Sequence, residues 1–459
     1  MKKTLATVVA LLLFPLMLTG QSKVWVSGYY AGWMQDYLLP TDIDFGAVTH
    51  IMHFSIEPNN SGGISGTGNG INPTTAAALI TPAHAAGVKV LITCGGAGDD
   101  GGFLASTNSS NRAKFVSNLV NFAVSNGYDG IDIDWEPITS TSQFRLFIPQ
   151  LRAAMDSAKP GMLLTLALQD GYDDAVTPVA SNFDQINIMT YDLSGAWDGW
   201  VTWHNSATTD GGYTFPSTGG ALPSADGCIN TATDAGIPKN LLGIGTDFYG
   251  YVWTGVSRPR QSWSSAPDVT GNVAYYDLMK TYGSDPVLWD TSAGAAYISI
   301  TSGGQKFVSF DNEQAMAAKA QYIQNKGVGG IIIWELGGGY QESAPSGQRD
   351  KLLQAVKQSF MLTGIASKST TPSEFRLEQN FPNPFNPTTT VEYSLVSTEN
   401  VSLRVYDMLG RQVAELVSGV KSAGTHRAAF NATGLASGVY FYRLTAGNSE
   451  ITKSMILLK

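Results

Sequence analysis

Asp129-Gly130-Ile131-Asp132-Ile133-Asp134-Trp135-Glu136 alternates acids with large apolar residues at a strict period of two. In a β-strand that period puts Asp132, Asp134 and Glu136 on one face, about 7 Å apart from one to the next, and Ile131, Ile133 and Trp135 on the other. Isoleucine and tryptophan indicate burial on their side, so the acids face a second enclosed space rather than open water. Like charges crowded into a partly dry interior raise the pKa of at least one member. A carboxylic acid kept protonated at the C-terminal end of a strand is what general acid catalysis requires. A solvated edge strand is the plain alternative, and the flanking apolar residues speak against it. A divalent-metal site built from the same carboxylates is another, but no further acidic or histidine cluster completes a coordination shell. No metal or cofactor is expected.

Seven other β-rich apolar runs surround this one, over 24–30, 47–54, 88–94, 162–168, 185–191, 241–248 and 329–335, with the acidic strand itself over 129–135. Helix-period segments separate them. Phe115, Leu119, Phe122 and Ala123 fall on one helical face that stops before Gly127, and 142–159, 314–326 and 347–359 repeat the pattern. Eight strands alternating with helices predict an α/β chain folded as a (β/α)8 TIM barrel over residues 23–362. About 80 residues separate the seventh and eighth strands, far more than a simple crossover needs, and they hold Trp253, Trp263, Tyr275, Tyr276, Trp289 and Tyr297. A small α+β insertion, about 251–306, is expected there.

At the start, Lys2-Lys3 followed by an apolar run from Leu5 to Leu18 and then small residues has the pattern of a secretory signal peptide over 1–22. After Phe360 a small, polar stretch over 363–373 marks a linker, and 374–459 returns to period-two runs broken at Gly410, Gly424 and Gly438, the pattern of a small all-β sandwich. Of 459 residues, 28 are Lys or Arg and 37 Asp or Glu, for a net charge of -9, which leaves no cationic field for phosphates and argues against a nucleic-acid partner. Two cysteines, Cys94 and Cys228, exclude a disulfide-stapled scaffold and are expected to be free thiols. Ten Trp, 19 Tyr and 19 Phe supply flat faces of the kind that stack on sugar rings, although most must serve the core.

The acidic strand resembles the catalytic signature of the family 18 glycoside hydrolases, the chitinases. Gly28-Tyr29-Tyr30, Thr49-His50-Ile51, Thr93-Cys94-Gly95-Gly96, Met189-Thr190-Tyr191-Asp192, Phe248-Tyr249-Gly250 and Trp334-Glu335-Leu336 resemble that family's other strands in order. The resemblance covers roughly 24–360. It implies that Glu136 protonates the leaving glycosidic oxygen, that Asp134 holds the substrate's 2-acetamido group, and that Asp132 supports Asp134. The acetamido carbonyl would then be the nucleophile, with configuration retained and no protein nucleophile. It further implies that Tyr191 lies near the acetamido oxygen, Asp192 near the reacting sugar, Trp334 beneath it and Trp197 on the leaving-group side. Tyr29 and Tyr249 complete the expected substrate-binding set. Three positions depart from the family: Thr93 stands where the third motif commonly has serine, Ala97 replaces the tryptophan that often follows the two glycines, and Tyr251 replaces the arginine that often follows Tyr249-Gly250.

The implied activity is hydrolysis of β-1,4-linked N-acetylglucosamine in chitin or its oligomers by a monomer. The alternatives are an endo-β-N-acetylglucosaminidase acting on glycans or peptidoglycan, and a non-catalytic chitin-binding lectin on the same barrel, which would be expected to have lost the acid. Phe375 to Asn380, Phe381 to Pro387, Val405 to Arg411, Ser437 to Leu444 and Thr452 to Lys459 together resemble the C-terminal sorting domain of the type IX secretion system. That implies export by this machinery to the cell surface or the medium. A carbohydrate-binding sandwich is the competing reading of this segment, with Tyr440 and Tyr442 as its candidate platform.

Overall fold

A computed structural model describes residues 24–361 except 346, and 375–458 except 378, 381–382, 398, 422–423 and 448. The expected signal peptide over 1–22 and the linker over 363–373 lie outside the described residues. Eight strands form the barrel: β1 (Trp25–Ala31), β2 (His50–Pro58), β3 (Lys89–Ala97), β4 (Gly130–Glu136), β5 (Leu163–Leu168), β6 (Gln185–Ile188), β7 (Leu242–Asp247) and β8 (Gly330–Trp334). Each is parallel to the next, from Ser27 opposite His50 through Leu91 opposite Gly130 to Ile186 opposite Leu242. Trp25 opposite Gly330 closes β8 onto β1. The ring is complete, as a (β/α)8 barrel requires.

Helices pack outside. In Arg112–Ser125, Phe115, Leu119 and Ala123 are buried while Phe122 is only half-buried, and Gly127 turns the chain with a positive φ of 84°. Ile131, Ile133 and Trp135 of β4 face this outer layer and are buried. Trp135 lies flat on Phe103 at 4.7 Å, meets Phe144 edge-on at 6.0 Å, and its indole N–H donates to Asp100 Oδ1 at 2.8 Å. The acids of β4 face the barrel interior.

The insertion begins and ends slightly outside its expected bounds. β7 stops at Asp247, and Tyr249–Thr254 already belongs to a five-stranded antiparallel sheet that also contains Asp268–Ala274, Val287–Asp290, Ala295–Ile300 and Lys306–Phe310, with the helix Tyr275–Tyr282 beside it. Period two continues through Phe248, so the sequence carries no mark of the change of sheet. A second long excursion, 189–224, was not anticipated. It has its own small core of Val201, Trp203, Ala207 and Leu222 against Ala293 and Ala295 of the insertion. Cys94 and Cys228 are both free and buried.

The C-terminal unit, from residue 363 on, holds two antiparallel sheets around one core. In Gly438–Ala446 the even-numbered residues point inward. Tyr440 and Tyr442 are therefore buried, which removes the exposed platform that a carbohydrate-binding reading of this unit needs. Among the described residues, no helix is long and apolar enough to cross a membrane.

Candidate active site

Register builds the floor of the site. Asp132 of β4 pairs with Thr93 of β3 and Thr165 of β5, so all three side chains share the barrel interior. Asp132 is fully buried, and its two oxygens accept hydrogen bonds from Thr165 Oγ1 at 2.6 Å, Tyr29 Oη at 2.9 Å and Thr93 Oγ1 at 3.1 Å. Burial pushes its carboxyl up to about 6, against the pull of those three hydroxyls.

One step along, Asp134 shares a hydrogen bond with Glu136. Burial and then the charge of Glu136 hold the Asp134 carboxyl well above the usual carboxylate range. Burial, with the charge of Asp192 beside it, also raises Glu136, while the bond to Asp134 works in the other direction. Two carboxyls in hydrogen-bond contact cannot both be ionised cheaply, so a proton on one of them favours their contact. Asp134 Oδ1 is buried without a partner, an acceptor left over at the bottom of the cleft. Gly95 lies opposite Asp134 with φ at 106°. A Cβ there would stand 2.1 Å from the Asp134 carbonyl oxygen, so this approach of strands tolerates only glycine.

Above this floor opens a cleft of about 810 Å³ at the C-terminal ends of the strands. Of the nine residues expected at the site, Glu136, Asp134, Tyr29, Tyr191, Asp192, Trp197 and Trp334 line it. Asp132 lies below the surface. Tyr249 stands behind Asp192, donating its hydroxyl to Oδ1 at 2.6 Å. Trp334 is braced by Phe54 at 4.8 Å and Tyr29 at 5.5 Å. Trp197 is 51% exposed and rests edge-on against Trp200 at 4.5 Å.

Sequence reasoning missed Trp33, Trp200 and Asp99. Trp33 is 53% exposed, lines the cleft beside Trp334, and donates its indole N–H to Glu335 Oε1 at 3.1 Å. It sits in the turn Gly32–Met34 just after β1, and the aromatic run Tyr29-Tyr30 continuing to Trp33 was the available signal. Asp99 lines the cleft past β3, with its carboxyl raised to about 6 by burial and by Glu57. Tyr251, the residue in place of an arginine, donates its hydroxyl to Asp192 Oδ1 at 2.9 Å.

The fold and site define a (β/α)8 protein with paired carboxyls under an aromatic-walled cleft, an arrangement suited to acid-assisted cleavage of a sugar polymer. The model of glycosyl hydrolases family 18 matches residues 26–339, and the chain belongs to that family. A second model, the secretion system C-terminal sorting domain, matches 379–458. Chitinase A1 of Niallia circulans is 26% identical over 357 residues, covering 68% of this chain and 48% of its own length. The class V chitinase of Arabidopsis thaliana is 29% identical over 277 residues, covering 54% of this chain and 69% of its own. Thus the chain spans about half of one of these relatives and two thirds of the other. Among solved structures, the group IV chitinase of Ostrinia furnacalis in complex with allosamidin superposes with a TM-score of 0.64 at 23% identity, over 76% of this chain and all of that one, a likeness of fold.

Proposed function

We propose that this chain is a secreted chitinase that cleaves β-1,4-N-acetylglucosamine linkages by substrate-assisted, retaining hydrolysis. The observation that carries the reading is the contact between the Asp134 and Glu136 carboxyls at the floor of an aromatic-walled cleft, where burial raises both. Glu136 gives its proton to the glycosidic oxygen as the bond to the anomeric carbon breaks. The substrate's acetamido oxygen closes onto that carbon, with Asp134 holding the acetamido N–H and Tyr191 its oxygen. Water then opens the ring so formed, returning its proton to Glu136, and the product keeps the β configuration. Asp132 is sealed by three hydroxyls and serves as a fixed neighbour of Asp134 rather than as a nucleophile. Trp33 and Trp334 on one side and Trp197 with Trp200 on the other supply stacking faces along the cleft.

The test is a substrate panel. N-acetylglucosamine oligomers are expected to be cleaved to products that appear first as β-anomers, while fully deacetylated chitosan, which lacks the internal nucleophile, resists. Initial α-anomers, or chitosan cut as fast as the oligomers, would overturn the mechanism. Export is proposed to depend on the C-terminal unit. Removing 374–459 is expected to leave the purified barrel active on oligomers and to trap it inside the producing cell; the truncated chain in the medium at full yield would refute the sorting role.

A further inference from the structure

The insertion meets the catalytic cleft through a pair of strands, Asn272 lining it and Tyr251 reaching Asp192. Tyr251 belongs to Tyr249–Thr254, and its partner strand Asp268–Ala274 breaks register between Thr270 and Val273, so that two residues, Gly271 and Asn272, stand opposite Tyr251 alone. A bulge of this kind re-aims side chains beside a site. Here it makes room for the phenol: a Cβ on Gly271 would stand 2.9 Å from Tyr251 Cζ. The Tyr251 hydroxyl and that of Tyr249 both end on the same oxygen, Oδ1 of Asp192. Asp192 itself sits in the left-handed region at φ 56°, unusual for a residue with a side chain, and is exposed to the cleft.

We propose that Tyr251 is a positioning residue of the catalytic cleft. With Tyr249 it pins Asp192 through two neutral phenol donors, so that the carboxylate is held in place while its negative charge stays uncancelled beside Glu136. The inference rests on the reading of Glu136 as the acid. The groups facing the Glu136–Asp192 pair are Asp132 and Asp134 of β4, Tyr191 after β6, Asp99 after β3, and Asp247 with the two insertion tyrosines. All are acids or phenols. No lysine, arginine or histidine is among the described residues that line the cleft. An arginine at 251 would hold Asp192 equally well, but it would place a cation there that favours ionised Glu136 and lowers the pH at which the acid is lost.

Two variants separate holding from charge. Tyr251→Phe removes the donor alone and is expected to lower kcat/KM on N-acetylglucosamine oligomers about tenfold, the scale of a lost hydrogen bond to a charged group, with the basic limb of the pH profile unmoved. Tyr251→Arg is expected to retain most of the rate in acid and to shift the basic limb of kcat/KM down by about half a unit or more. Thermal unfolding of both variants checks that the barrel is intact. A purely structural tyrosine would change stability and leave both profiles superimposed on the parent's, which would overturn the inference. Turnover that vanishes in Glu136→Gln but is untouched by either Tyr251 variant defeats this inference alone, whereas a parent chain with no turnover defeats the chitinase reading and this inference with it.

Discussion

Replacing Glu136 by glutamine is expected to cut turnover of N-acetylglucosamine oligomers by between about a hundredfold and ten-thousandfold, with oligomer binding preserved. Glutamine keeps the shape and one donor but cannot release a proton to the leaving oxygen. Its amide also carries no negative charge, so the push of Glu136 on the Asp134 carboxyl disappears, leaving burial and the remaining acids to raise that group. In the parent, kcat/KM is expected to fall on the alkaline side as Glu136 loses its proton, at a pH above that of an ordinary glutamate because burial raises the group. Steady-state rates across pH, with calorimetric binding of a chito-oligomer to the variant, check both parts. Undiminished turnover would move the acid elsewhere, and lost binding would make Glu136 a binding residue first.

Trp135→Ala is expected to cost about 3–5 kcal/mol of barrel stability, read as a lower denaturant midpoint at an unchanged slope. The indole is buried between the aromatic rings of Phe103 and Phe144, and its N–H is the donor to Asp100 Oδ1. Alanine would leave a cavity in the outer layer and remove one of the two donors to Asp100 Oδ1 at the start of the helix Asp100–Thr107, the other being Thr139 Oγ1. Because Trp135 lies between Asp134 and Glu136 in the chain, its loss also loosens the strand that spaces them. A change below about 1 kcal/mol would mean that the surrounding rings collapse into the space.

The barrel and the acid row were legible in the sequence because both are written at short range. Period two on β4 decides which residues face inward, and eight such runs decide the class. Asp132, Asp134 and Glu136 could be assigned to one face from spacing alone. What escaped depends on residues far apart in the chain. Trp33 reaches the cleft by pairing with Glu335, and Trp200 by meeting Trp197 edge-on within an excursion that has no regular period. Tyr249 reads as the end of a barrel strand because alternation is blind to a change of sheet. At Tyr251 the sequence showed that a charged clamp was gone. Only the meeting of an insertion strand, a bulge and Asp192 shows that another donor has taken its place.

Every charged residue among the described ones that line the cleft is an acid, so charge is expected to sort polymers before any hydrogen bond forms. A neutral acetamido glycan enters without Coulomb work. A chain bearing carboxylates or sulfates meets like charge focused between low-dielectric walls, and must bring counterions with it. That repulsion is long-ranged in dilute buffer and shrinks to about 8 Å at physiological ionic strength. Binding of uronic-acid and sulfated polysaccharides is thus expected to be weakest at low ionic strength and to rise with added salt, while that of a neutral acetamido glycan stays level.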